Sequence, residues 1–223
     1  MLPSQTVENY LKTIYLAQAA AADAGALVPM GQLASALGVV PGTATTMINT
    51  LAESGLVHYE PYMGVRLTAA GEKLASLVLR RHRLIELFLV KVLGMNWTEV
   101  HDEAERLEHA VSERLIDLID DMLGRPAVDP HGDPIPTAEG TIARPDHVDL
   151  MAAGVDTPLV VTRILDQDPE FLRFAEARRI VPGASIVVRE RHPAADSVRL
   201  ELPSGDVVTI GTRAATKVLV TAG

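Results

Sequence analysis

The chain has 223 residues, 48% of them apolar, enough for one large domain or two to three small ones with buried cores. It has no cysteine, which excludes disulfide frameworks and thiolate metal sites; any bound metal must be held by oxygen and imidazole, favouring Mn2+, Fe2+, Co2+ or Zn2+ over copper(I). A formal charge of −9 argues against bulk electrostatic adhesion to nucleic acid, and without a basic leader or an apolar run near the roughly 20 residues that span a bilayer, the expected location is the cytoplasm, with no membrane partner.

From Val7 to Ala21 the apolar residues Val7, Tyr10, Leu11, Ile14, Ala17 and Ala21 keep helical spacing, with Thr6 the expected cap. A loop through Ala24 and Gly25 leads to a short helix marked by Leu33, Ala34 and Leu37 and stopped at Gly38; Pro41 opens another, whose inward face is Ala44, Met47, Ile48 and Leu51, ended by Ser54-Gly55. A short helix, a tight glycine turn and a second helix make the helix-turn-helix spacing. The runs 56–60 and 65–68, separated by Pro61-Tyr62-Met63-Gly64, read as a hairpin, the wing.

Helical periodicity returns from Ala69 to about Gly94, and Trp97 to Leu123 predicts one or two more helices. These amphipathic helices form a small domain suited to pairing with a second copy. Residues 124–155, rich in Pro and Gly, read as a linker or an ordered irregular segment. Beyond Pro158 the strand candidates 159–165, 185–191, 197–202, 207–210 and 217–220, interrupted by a short helix from Pro169 to Arg179, predict a small β-barrel.

The chemistry concentrates in 101–109. His101, Glu105, Glu108 and His109 fall at i, i+4, i+7 and i+8, one stripe of a helix, and upstream His82 and Glu86 are also at i, i+4. Six oxygen and nitrogen ligands on two neighbouring helices suit one or two six-coordinate divalent ions, because gathered carboxylates repel one another without a cation. The bland alternative is a solvated face in which these residues interleave with Arg80, Arg81, Arg83 and Arg106. His131, in a Pro/Gly/Asp turn, reads as holding the linker and not a metal. No glycine-rich phosphate loop or nucleophile elbow is present, so no small organic substrate is expected. A helical-bundle di-metal enzyme would need paired Glu-x-x-His elements, which this chain lacks.

The expected recognition helix begins Pro41-Gly42-Thr43, and with Thr45, Thr46 and Asn49 it offers hydroxyls and an amide to phosphates and base edges, while Ala44 is small enough to meet a thymine methyl. No basic residue occurs between Lys12 and Arg66, so backbone N–H groups, the helix dipole, Lys12, Arg66 and Lys73 are left to meet phosphate, and a shallow salt dependence follows. A neutral recognition helix also suits a metal-independent winged-helix adaptor that docks protein.

The chain resembles the diphtheria toxin repressor family of iron- and manganese-dependent regulators along nearly its whole length. The resemblance rests on 7–15 (Val-Glu-Asn-Tyr-Leu-Lys-Thr-Ile-Tyr), Arg81-His82-Arg83-Leu84, the string from His101 to His109, Asp129-Pro130-His131-Gly132-Asp133-Pro134-Ile135-Pro136, and the turn Val181-Pro182-Gly183. It implies a mainly α fold with small β content: an N-terminal winged helix-turn-helix (1–73), a helical metal-binding and dimerisation domain (74–140), a linker (141–156) and a C-terminal SH3-like, FeoA-like β-barrel (157–223). It implies a homodimeric repressor on palindromic double-stranded operator DNA, with two ions per subunit. One position would use Glu105, Glu108 and His109 with Asn9 of the first helix, adjacent Glu8 being the substitute; the other would use His82, Glu86 and His101, sometimes joined by Gln167 and Glu170. Iron-type members carry Cys and Met where this chain has Glu105 and Asn9, and hard oxygen in place of soft sulfur shifts preference toward Mn2+, with Fe2+ the alternative.

Overall fold

The computed structural model describes residues 4–21, 25–143 and 146–223, so the loop expected at Ala24 and part of the linker lie outside the described residues. The chain divides into two compact units, one of residues 1–82 with 136–142 and one of 83–135 with 143–223.

In the first unit α1 (Gln5–Ala19) begins two residues earlier than its apolar spacing requires, because Ser4, and not Thr6, caps it by accepting from the Val7 N–H. Helices α2 (Met30–Ala36) and α3 (Pro41–Glu53) follow; Gly38, at φ 64°, makes the turn between them, and Pro41 opens α3 where a missing N–H costs nothing. Strands β1 (Val57–Glu60) and β2 (Gly64–Leu67) pair antiparallel with Glu60 opposite Gly64, and Val28 bridges to Val65. Gly64 is required there: at φ 144° a Cβ would lie 2.5 Å from the Val28 carbonyl oxygen. Leu11, Ile14, Leu33, Ile48, Leu51 and Val65 form the core.

Helix α4 (Ala69–Lys91) starts in the first unit and continues into the second. There α5 (Val100–Leu107) and α6 (Glu113–Met122) pack on it through Leu84, Ile85, Val100, Ala104, Ile116 and Ile119. The single helix expected to carry 101–109 is shorter than its periodicity: it ends at Leu107, with Glu108 as C-cap, and Ser112 caps α6 by accepting from the Leu115 N–H.

The C-terminal region contains β3 (Val148–Asp149), β4 (Pro158–Ile164), α7 (Pro169–Ala177), β5 (Ser185–His192), β6 (Ser197–Glu201), β7 (Val207–Gly211), the single turn α8 (Thr212–Ala215) and β8 (Val218–Ala222). The five strands expected from alternation are present, but the barrel is not. The sheet runs β3-β8-β4-β5-β6-β7, and its edges, β3 and β7, do not pair. Closure is replaced by helical cover: Leu172 and Ala175 of α7 and Ala215 of α8 share the core with Val161, Ile164, Val188, Val198 and Val220, so the apolar face is buried without the sheet curling onto itself. Among the described residues no helix is long and apolar enough to cross a membrane.

Candidate functional site

Glu86 and Glu108, both in the second unit, are fully buried, and each has an imidazole beside it. Glu86 of α4 is 0% exposed and lies 3.2 Å from His101 Nδ1 at the start of α5; Glu108 is 0% exposed and lies 3.2 Å from His109 Nε2. Glu105, half-buried, stands 3.9 Å from the other ring nitrogen of His101. His82 sits one turn before Glu86 on α4 and is buried too. A solvated face would leave these groups in water, and three of the four flanking cations speak against it: Arg80, Arg81 and Arg83 are buried, while Arg106 is exposed. Arg80 donates to the Pro136 carbonyl, and Arg83 to the Pro134 carbonyl and the Asp133 carboxylate.

A further pair of ligand-type residues lies here, Asp129, which the sequence reading did not consider as a ligand, and His131, which it read as holding the linker. Asp129 and His131 are buried beside Glu86, and the three offer ligand atoms within 4.8 Å of one another. The His131 Nε2–H donates to the Trp97 carbonyl at 2.9 Å, which leaves Nδ1 as the lone-pair nitrogen, 3.8 Å from Glu86 Oε2. Burial, then the charges of Asp133 and Glu86, push Asp129 up to about 8. Burial alone would lower His131, but Glu86 and Asp129 outweigh it and hold the imidazole above its ordinary value. The signal that pointed here was the compact Asp129-Pro130-His131-Gly132-Asp133 turn; periodicity cannot show which way an irregular loop folds.

In the first unit Asn9 Oδ1 is buried without a hydrogen-bond partner, an oxygen in need of a donor or a cation. Glu8 instead forms a buried ion pair with Arg81, the two side chains being 6% and 5% exposed. In the second unit, Gln167 donates to Asp133 at 3.0 Å, and Glu170 is exposed in the first turn of α7. The carboxylate and imidazole donors at Glu86 and Glu108 fit a divalent cation of Mn2+ or Fe2+ type.

Of the residues expected to read DNA, Pro41, Gly42, Thr43, Thr46 and Asn49 are exposed along α3 and Arg66 is exposed on β2, while Thr45 is half-buried. The Thr45 and Thr46 hydroxyls donate to the carbonyls of Pro41 and Gly42, leaving their oxygen lone pairs to accept. Lys12, expected to meet phosphate, is buried. The wing tip presents exposed Tyr62 and Met63, which the sequence reading did not single out.

Comparison with known proteins gives three family matches in chain order: the iron dependent repressor N-terminal DNA binding domain over residues 3–65, the iron dependent repressor metal binding and dimerisation domain over 68–137, and the FeoA domain over 148–222. The iron-dependent repressor IdeR of Mycobacterium tuberculosis is 30% identical over 217 residues, 92% of each chain. An HTH-type transcriptional regulator of Methanocaldococcus jannaschii is 36% identical over 116 residues, 52% of this chain and 90% of its own. Among solved structures, a manganese-dependent transcriptional repressor in complex with manganese is 41% identical with a TM-score of 0.88, covering 97% of this chain and all of its own, and ScaR with bound Zn2+ is 29% identical with a TM-score of 0.79, covering 99% of this chain.

Proposed function

Because the chain belongs to the diphtheria toxin repressor family of metal-dependent transcriptional regulators, we propose that it is a manganese-gated repressor of metal-homeostasis genes, with Fe2+ as the alternative corepressor. It is a DNA-binding regulator and not an enzyme. The observation that carries the metal assignment is the pair of fully buried carboxylates, Glu86 and Glu108, each set against a histidine. Carboxylate oxygens and imidazole nitrogens gathered this closely are the hard and borderline donors that suit a divalent cation of this type.

Two ions per subunit are proposed. Glu105, Glu108 and His109 hold one, with Asn9 as the ligand from α1. Glu86 holds the other, with His82 and His101 as expected ligands; Asp129 and His131, within reach of the same carboxylate, favour a second ligand choice there. Gln167 and Glu170 are lesser candidates, since Gln167 is already bonded to Asp133. The functional division proposed is a DNA-binding part (1–73), a metal and dimerisation part (74–140), a linker (141–156) and the FeoA-type part from 157 on.

The cation, when bound, would supply positive charge among the clustered carboxylates. The chain's residues do the rest. Leu115, Leu118 and Met122, exposed along α6 at i, i+3 and i+7, offer an apolar stripe for a second copy, which supports the homodimer. Exposed α3 reads base edges in two half-sites of a palindrome, and Arg66 meets phosphate. Metal favours the DNA-competent state only through its differential affinity for that state, a coupling of about 1–3 kcal/mol. Operator DNA places the protein in the cytoplasm.

The test is a mobility-shift titration of operator DNA with Mn2+ and with Fe2+, paired with anomalous scattering at the Mn edge. Glu105→Ala and His109→Ala should each abolish Mn2+-dependent binding while the fold is kept. A metal-independent adaptor would keep its partner binding in both variants, and crystals showing no Mn signal at these residues would refute the assignment.

A further inference from the structure

The loop from Asp129 to Asp133 has two faces within the second unit. One face carries Asp129 and His131 toward Glu86. The other is fastened to the C-terminal sheet. Strand β4 is paired with β5 only over Pro158–Val160, and beyond that the Ile164 N–H is met by the His131 carbonyl at 2.8 Å. Gly132, at φ 86°, presses against this strand so closely that a Cβ would lie 1.9 Å from the Thr162 carbonyl oxygen.

Asp133, 3% exposed, ties the loop to three elements at once. It accepts from Arg83 of α4 at 3.2 Å and from Gln167, just before α7, at 3.0 Å, and it is paired with Arg163 of β4. Two guanidinium partners on Oδ1 and an amide donor on Oδ2 commit this buried carboxylate to holding the loop. Asp129 Oδ1 in turn accepts the backbone N–H groups of His131 and Asp133, fixing the loop's internal shape.

We propose that Asp133 is a positioning residue: through Arg163 and Gln167 it makes the C-terminal sheet hold Asp129 and His131 in place at Glu86, so that occupancy at Glu86 and the order of the sheet are coupled. The C-terminal region then contributes to metal binding through Asp133, apart from any ligand of its own. The proposal rests on the metal assignment at Glu86 made above. Groups that orient ligands from behind typically change metal affinity by about 10–100-fold when removed.

The molecule carries its own reporter. Trp97, the sole tryptophan, lies with its ring 5.6 Å from the His131 ring and donates from Nε1 to Glu176 of α7 at 2.8 Å. In the full-length protein, Mn2+ should change Trp97 emission and slow amide exchange at Ile164. Asp133→Asn should speed Ile164 exchange already in metal-free protein, weaken one class of Mn2+ sites about tenfold or more while sparing the other, and remove the Trp97 response. Gln167→Ala, which deletes one neutral donor and threatens folding less, should move the same readouts in the same direction by a smaller factor. Wild-type Mn2+ affinities at both sites in both variants would overturn the positioning role while leaving the metal assignment intact. Wild-type protein that takes up no Mn2+ would instead sink the metal assignment, and the positioning role with it.

Discussion

Glu8→Ala separates two roles for the acidic residue beside Asn9, as a structural partner of Arg81 or as a metal ligand. The Glu8 and Arg81 side chains are 6% and 5% exposed and bonded to each other, so removing Glu8 takes away the carboxylate that compensates a buried guanidinium. Breaking a buried pair on one side costs about 3–5 kcal/mol, whereas replacing both partners with apolar side chains is near neutral or stabilising by about 1–4 kcal/mol. At about 2–4 °C per kcal/mol for a chain of this size, the single variant should melt on the order of 10 °C lower without metal, and Glu8→Met with Arg81→Met should recover most of the loss. The assay is thermal and urea unfolding of the two singles and the double, with and without Mn2+. Since Glu8 is occupied by Arg81, Mn2+ should still stabilise the Glu8 variant, by about 2.7 kcal/mol at roughly a hundredfold excess over Kd. A metal-free Glu8→Ala protein within about 1 kcal/mol of wild type, with its Mn2+ stabilisation gone, would refute this reasoning and make Glu8 the ligand.

Other substitutions test the remaining groups. Asn9→Asp converts the unpartnered buried oxygen to a charged one and should raise Mn2+ affinity, about tenfold by calorimetry, while lowering metal-free stability because the added charge is partly buried. Asp129 and His131 both have folded pKa values above their ordinary ones, so both bind protons more tightly in the folded state; the stability Asp129 adds is present below the ordinary carboxylate pKa and is lost as pH rises through about 8, and that of His131 is present below the ordinary imidazole pKa and is lost above it. Metal-free protein should therefore weaken in urea between about pH 4 and pH 8, and Asp129→Asn should flatten that slope. Operator affinity should fall only gently with salt, since α3 carries no basic residue and Lys12 is buried, and Arg66→Ala should reduce the slope of log K against log salt by about one. A steep slope of about ten would mean that phosphates are met by residues not considered.

Much of the site was legible because helices have a fixed period. The i, i+4 spacing of His82 and Glu86, and that of His101 and Glu105, assigns faces before any tertiary contact is known. Spacing carries no information about depth, however, and the same pattern was compatible with a solvated surface until Glu86 and Glu108 were found fully buried. Arg80, Arg81 and Arg83 taught the opposite lesson, for their partners are backbone carbonyls and carboxylates distant in sequence. Asp129 and His131 reach Glu86 from more than forty residues away through a loop with no period, so only the fold could bring them there.

The strands of the C-terminal region were visible in their alternation, yet their closure was not, because alternation states which face is buried and not what buries it. In this protein α7 and α8 complete that core, and the sheet stays open between β3 and β7. By itself the amino-acid sequence determined the order of the longer elements, the inward faces and the chemistry of the ligand set, since these follow from local periodicity and residue type, while the short β3 and α8 were not legible in it. Only the tertiary structure decided which charges lie buried, that Glu8 belongs to Arg81, and that the irregular loop at Asp133 joins sheet to helix, since each depends on contacts between residues far apart in the chain.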